Sequence, residues 1–199
     1  MQAAQPVVGV LLAAGVGRRY DPSGVRLKLL EPAPSGPHAG APIALAAMRT
    51  LRAAIADVIV VVRPADSAVQ KQLHELLSSE GARLEICADA SAGMGHSLAC
   101  GVRARSTAAG WVIALADMPA VSAATIAAVR DAIAHGHDAA APMHRGQRGH
   151  PVGFGVACRE ALLSLTGDAG ARSILAAHQP LLIEVDDPGC LLDIDTPAK

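Results

Sequence analysis

Five short apolar runs recur along the chain with helical patterns between them: "VVGVLL" (7–12), "DVIVVV" (57–62), "WVIAL" (111–115), "PVGFGV" (151–156) and "LLIEVD" (181–186). Each is too short for a buried helix and too continuously apolar for a half-exposed strand. Each therefore reads as a strand buried on both faces. "LEIC" (84–87) and "DAAAP" (138–142) are weaker members of the same set. Between them, "DSAVQKQLHELLSSE" puts Val69, Leu73, Leu76 and Leu77 on one helical face, behind a cap at Asp66 or Ser67. "VSAATIAAVRDAIAHG" does the same with Ile126, Val129 and Ile133, capped by Ser122 and stopped near Gly136. Met48, Leu51 and Ile55 mark a third helix, and "GHSLACGVRA" opens a fourth. Strand and helix alternating in this way predict an α/β domain around a mostly parallel sheet.

The 199 residues suffice for one well-buried core and are short for two. "EPAPSGPHAGAP" (31–42) has the composition of a linker, but the thirty residues before it cannot form a core of their own. With 51% hydrophobic and 18% charged residues the chain is expected to be packed, not disordered. A formal charge of −1 and only three aromatics, Tyr20, Trp111 and Phe154, argue against a nucleic-acid reader, which needs a basic groove and stacking platforms. No basic residue precedes the first apolar run, and Arg18 interrupts that run before it could span a bilayer. Cys87, Cys100, Cys158 and Cys190 lie far apart with no CxxC pair, and read as reduced, mostly buried thiols of a cytoplasmic protein.

After the first strand the chain fills with glycine and cations: "LLAAGVGRRYDPSGVRLKLL" (11–30). A glycine-rich turn behind a strand presents backbone N–H groups, and cations beside it make an anion site. The dinucleotide fingerprint GxGxxG fails, because Tyr20 stands where its third glycine belongs, and no GKS or GKT follows Gly15 as a P-loop requires. Backbone donors with Arg19 and Lys28 suit a triphosphate. The same small residues also suit close helix–sheet packing, and the arginines a solvated face. "ALADMP" ends an apolar strand with Asp117, where α/β sheets bind ligands and a carboxylate can hold Mg²⁺. Asp117 serves equally as a cap ahead of Pro119. The histidines, His135 and His137 among them, form no paired ligand pattern.

"LAAGVGRRY...K" resembles the LAAGxGxRMGxxK signature of nucleotidyltransferases, in particular the molybdenum cofactor cytidylyltransferase family. The resemblance continues in the family's order through "GMGHSLACGV" (93–102), "ALADMPAV" (114–121), "GHPVGF" (149–154), "GDAGAR" (167–172) and "DIDTP" (193–197). It implies a single three-layer αβα, Rossmann-like domain spanning residues 1–199. It also implies transfer of CMP from CTP to the terminal phosphate of a molybdopterin-type cofactor, with pyrophosphate released. The alternatives are another nucleotidyltransferase using a different NTP or a sugar- or polyol-phosphate acceptor, or a catalytically idle cofactor-binding module. By the same resemblance Ala13, Ala14, Gly15, Gly17 and Arg19 cradle the nucleotide, and Arg19 and Lys28 stabilise the reacting phosphates. Gly93, Met94, Gly95 and Ser97 lie against base and ribose, although Ser97 also suits a helix cap. Ala14 points toward CTP, since guanylyl-transferring relatives tend to carry "LAGG". Asp117 and Asp195 are the implied Mg²⁺ ligands, with Asp193 ranked below Asp195. His150, Asp168 and Arg172 face the acceptor. Two departures stand out: Tyr20 replaces the usual methionine, and "DPSGVRL" lengthens the segment before Lys28, leaving Arg26 as the alternative cation. A molybdenum hydroxylase or its maturation factor is the implied partner; nucleic acid and membrane are not.

Overall fold

The computed structural model describes residues 6–15, 20–21, 26–168 and 170–195. Among the described residues eight strands form one sheet: β1 Val7–Leu12, β2 Val58–Val62, β3 Arg83–Ile86, β4 Gly110–Leu115, β5 Ala139–His144, β6 Gln147–Arg148, β7 Val152–Gly155 and β8 Leu181–Glu184. Six α-helices of the same residues accompany them: α1 Ile43–Ala54, α2 Ala68–Ser79, α3 Met94–Ala104, α4 Ala123–Ala134, α5 Arg159–Leu163 and α6 Arg172–Ala177. The order across the sheet is β3-β2-β1-β4-β7-β5-β6, with β8 pairing β5. The β1–β2, β1–β4, β2–β3 and β5–β8 pairs are parallel, and the three pairs β4–β7, β5–β7 and β5–β6 are antiparallel.

Alternation along the central strands divides the core into two layers. Val7 and Leu11 of β1 face α1, α2 and α4, whereas Val8 and Val10 face α3, α5 and α6. Small residues bring the layers together. A Cβ on Gly101 of α3 would lie 2.5 Å from Val10 Cγ1 and 2.9 Å from Val61 Cγ2. Sheet and two helical layers make the three-layer α/β architecture.

The chain runs β1, β2, β3 to one side, then returns past β1 to place β4 on its other flank. The strand order therefore reverses between β1 and β4, and open α/β sheets bind ligands outside the carboxyl ends of the strands at such a point. Residues 31–42 are no linker. Ala33 N–H donates to Ala41 C=O at 2.8 Å, and Gly36, at φ +102°, packs against Pro119 and Ala120 beside the end of β4.

The run 181–186 departs from the expectation of full burial. β8 pairs only with β5, and Leu181 and Leu182 are 40% and 44% exposed. Its position at the sheet edge, not its composition, decides that. Ser67 and Ser122 do cap α2 and α4, accepting from Gln70 N–H and Thr125 N–H.

Candidate active site

A cleft of about 510 Å³ opens over the carboxyl ends of β1 and β4. Ala14 and Gly15 continue β1 into it, and Asp117 enters it two residues after β4. A Cβ at Gly15 would meet nothing within 4 Å, so the backbone there is open to a ligand. Lys28 begins a short 3₁₀ turn, Lys28–Leu30, anchored by buried Leu27 and Leu29. Its ammonium donates to Asp117 Oδ2 at 2.7 Å and to the Ile194 carbonyl at 2.9 Å, and lies 3.6 Å from Asp195 Oδ1. The Ile194 N–H in turn donates to the Asp117 carbonyl at 3.0 Å. Three segments far apart in sequence are thereby pinned at one point.

Lys28 thus sits between two carboxylates on the cleft wall. The Asp117 and Asp195 side chains are partly open to solvent, whereas Lys28 is only 11% exposed. Two hard oxygen donors on one wall fit Mg²⁺, which binds one or two carboxylates and completes its shell with phosphate and water. Among the described residues no group of three or more His, Cys, Asp or Glu forms a protein-only metal cage. The donor set suits a metal that arrives with, and is completed by, a phosphate substrate.

The second wall comes from the start of α3. Gly93 precedes the helix at φ +132°, and Met94 and Ser97 line the cleft. Ser97 lies inside α3 and is buried, so the cap expected of it is not formed; the chain enters the helix through Gly93 instead. The Gly95 N–H donates to the Gly167 carbonyl at 2.8 Å, which joins "GMGHSL" to "GDAGAR" and commits that donor to protein. Ala13 is buried, with its N–H donated to the Val61 carbonyl at 2.9 Å.

Asp168 lines the cleft, whereas Arg172 opens α6 as an exposed residue outside the lining. His150 lies beneath the end of β4, where its ring lines a small cavity with Leu115 and Met118. Its main-chain N–H donates to the Cys190 carbonyl at 2.9 Å, and its buried ring Nδ1 has no partner among the described residues. Burial pushes its pKa below the usual histidine value, against the raising influence of Asp117 and Asp193. Gly17, Arg18 and Arg19 lie outside the described residues. The alternative cation, Arg26, is engaged elsewhere: its Nε and Nη2 donate to Glu31 Oε1 at 3.0 and 2.8 Å. Asp195, not Asp193, reaches Lys28 and lines the cleft.

Sequence reasoning missed Tyr20, Ala90 and Ser91 as cleft residues and the Ile194 carbonyl as a Lys28 partner. Ala90 and Ser91 adjoin the "GMGHSL" block, so continuity could have found them. A main-chain oxygen carries no sequence signal.

The MobA-like NTP transferase domain model matches residues 9–181. The chain belongs to the MobA-like NTP transferase family. Two relatives of this family member span nearly its whole length. The purine catabolism protein PucB of Bacillus subtilis is 31% identical, over 97% of this chain and 93% of its own. The nicotine blue oxidoreductase of Paenarthrobacter nicotinovorans is 30% identical, over 96% and 92%. Among solved structures, Rv0371c of Mycobacterium tuberculosis superposes with a TM-score of 0.75 at 24% identity, covering 96% of this chain and 94% of that one. The same mycobacterial protein has also been solved in complex with manganese. The nucleotidyltransferase family thus shares the fold, and the cleft lies where that fold binds ligands.

Proposed function

We propose that the protein transfers CMP from CTP to the terminal phosphate of a molybdopterin-type molybdenum cofactor, in a Mg²⁺-dependent reaction that releases pyrophosphate. The observation that carries this reading is Lys28 set between Asp117 and Asp195 at the mouth of the β1–β4 cleft. A mere binder has no need of a cation flanked by two metal-type carboxylates. Ala14 and the ordered motifs point to the cytidylyl branch and its acceptor.

A phosphate oxygen of the acceptor forms a bond to the α-phosphorus of CTP. The bond from that phosphorus to the α,β-bridging oxygen breaks, and pyrophosphate leaves with the electron pair. The nucleophile is already anionic, so no strong base is required. Positioning and charge stabilisation supply the rate. In this reading Lys28 donates to a non-bridging α-oxygen, and the open backbone at Gly15 receives the phosphate chain. Mg²⁺, held by Asp117 and Asp195, would neutralise charge on the phosphate oxygens. The reaction belongs in the cytoplasm, with direct delivery of the product to a molybdenum hydroxylase or its maturation factor.

A second reading, a nicotinamide-dependent oxidoreductase, is raised by the alternating α/β pattern, and one relative is named an oxidoreductase. This reading predicts a reduced nicotinamide nucleotide in the same cleft without need of divalent metal. Tyr20 at the third position of GxGxxG counts against it.

Calorimetry with the four ribonucleoside triphosphates, in Mg²⁺ and in chelator, tests the proposal. Mg²⁺-dependent preference for CTP is expected, followed by pyrophosphate release on adding the acceptor. Preference for another triphosphate would redirect the acceptor search. Binding of a reduced nicotinamide nucleotide, and of no triphosphate, would overturn the transferase reading.

A further inference from the structure

We infer that Tyr20 is a specificity residue that stacks on a planar heteroaromatic ring of a substrate, an inference that rests on the transferase reading of the cleft. The chain has three aromatic residues. Trp111 and Phe154 are fully buried in the core, which leaves Tyr20 as the one ring of the three with surface to offer. That ring lines the cleft alongside Ala14, Gly15 and Lys28.

The ring is also backed. Arg26 places its guanidinium carbon 5.6 Å from the ring centroid, within cation–π range. The guanidinium is itself held by Glu31 Oε1, and the Arg26 N–H donates to Asp21 Oδ2 at 2.7 Å. Glu31 compensates the Arg26 charge, so this pair is built as a wall and not as a phosphate ligand. Arg26 lies six residues after Tyr20, in the segment that departs from the resembled signature just as Tyr20 does. Elsewhere the described lining combines the charged Lys28, Asp117, Asp168 and Asp195 with small and aliphatic residues such as Leu12, Leu29, Met94 and Leu115, and no second Phe, Tyr or Trp. An aromatic wall in such a cleft adds a π-face, which favours a flat ring over a sugar or a bare phosphate. Both the nucleobase and the fused ring of a pterin acceptor have this chemistry.

Because Tyr20 is the sole tyrosine, fluorotyrosine labelling gives a single ¹⁹F resonance. It is to be followed while adding CTP, inorganic tripolyphosphate, or a phosphate-free pterin, with binding measured in parallel by calorimetry. A ligand with a ring should shift the resonance, and tripolyphosphate should not. Tyr20→Leu should weaken the responding ligand by about tenfold, and Tyr20→Phe by no more than about twofold. A response to CTP alone identifies the nucleobase as the stacked ring; a response to the pterin alone identifies the acceptor. A tripolyphosphate shift equal to that of CTP, or a Tyr20→Phe loss as large as that of Tyr20→Leu, would make the hydroxyl the contact and overturn stacking. So would an unmoved resonance when CTP binds and the pterin does not perturb it. Absence of triphosphate binding would remove the cytidylyl reading, while a pterin response would still uphold Tyr20; with neither, both fall.

Discussion

Gly93 is packed against the Gly167 carbonyl, and a Cβ at Gly93 would overlap that group and lie 2.6 Å from the Asp168 nitrogen. Its backbone, at φ +132° and ψ 170°, is in a region open essentially to glycine. Two sequence motifs seventy-odd residues apart are thus one unit of the cleft wall, fastened by the Gly95–Gly167 hydrogen bond. Gly93→Ala should lose that bond and push the 167–168 segment outward. A destabilisation of about 2 kcal/mol is expected, together with at least a tenfold loss of nucleotide affinity. Thermal melting and calorimetry read the two effects separately; an unchanged melting temperature would refute the close contact.

Lys28 compensates two carboxylates and satisfies a main-chain carbonyl at once. Lys28→Ala should lower kcat by about 10²–10³-fold, the cost of removing one transition-state donor. Secondary structure should survive, because the hydrophobic anchors Leu27 and Leu29 remain. The check is pyrophosphate release at saturating CTP beside a circular dichroism spectrum. Turnover within a factor of about three of wild type would exclude Lys28 from the reaction.

How much of this was legible in the residues follows from what each signal depends on. The central strands were readable because burial on both faces leaves continuous apolar runs such as "DVIVVV". β8 carries the same kind of run, yet whether a strand sits inside a sheet or at its edge is decided by its neighbours. The two residues of β6, Gln147 and Arg148, have no apolar alternation; the hairpin that creates them turns at Arg145 and Gly146, both at positive φ. Asp117 was legible because it ends a strand, whereas Asp195 rested on resemblance alone. Beside the Lys28–Asp117 side-chain bond, the site is joined by main-chain carbonyls of Ile194 and Gly167, and a main-chain acceptor carries no residue signal.

Asp187 is buried and accepts three hydrogen bonds, from Ser122 N–H at 2.9 Å, Thr125 Oγ at 2.6 Å and Gly189 N–H at 3.0 Å. It ties the 3₁₀ turn Pro188–Leu191 to the first turn of α4, on the stretch that leads to Ile194 and Asp195. Asp187→Ala would strand three donors and should cost about 3 kcal/mol. That predicts a melting temperature lower by roughly 6–12 °C for a chain of this size. Asp187→Asn, which keeps an acceptor, should lose less. Equal losses would show that volume and not hydrogen bonding holds the turn.

Burial pushes the Cys100 thiol up to about 12, with Cys87 and Glu85 adding to the shift, and pushes Cys158 up to about 11, helped by the Asp138 charge. At pH 8 the folded protein should then hold Cys100 with roughly 10²–10³-fold less thiolate than an ordinary cysteine. Iodoacetamide should leave Cys100 and Cys158 largely unmodified in the native protein and label all four cysteines after unfolding, as read by mass spectrometry. The sign for stability follows from proton counts. Above about pH 9 the unfolded chain releases these protons while the folded protein retains them, so the unfolded state binds fewer protons and stability falls with rising pH. The loss should run from the unfolded thiol value near 9.0 toward the folded values of about 11 and 12. It should shrink when Cys100 and Cys158 are both replaced by alanine, relative to that variant's own stability at pH 7. Native Cys100 reacting as fast as the unfolded chain would remove the basis for this alkaline dependence.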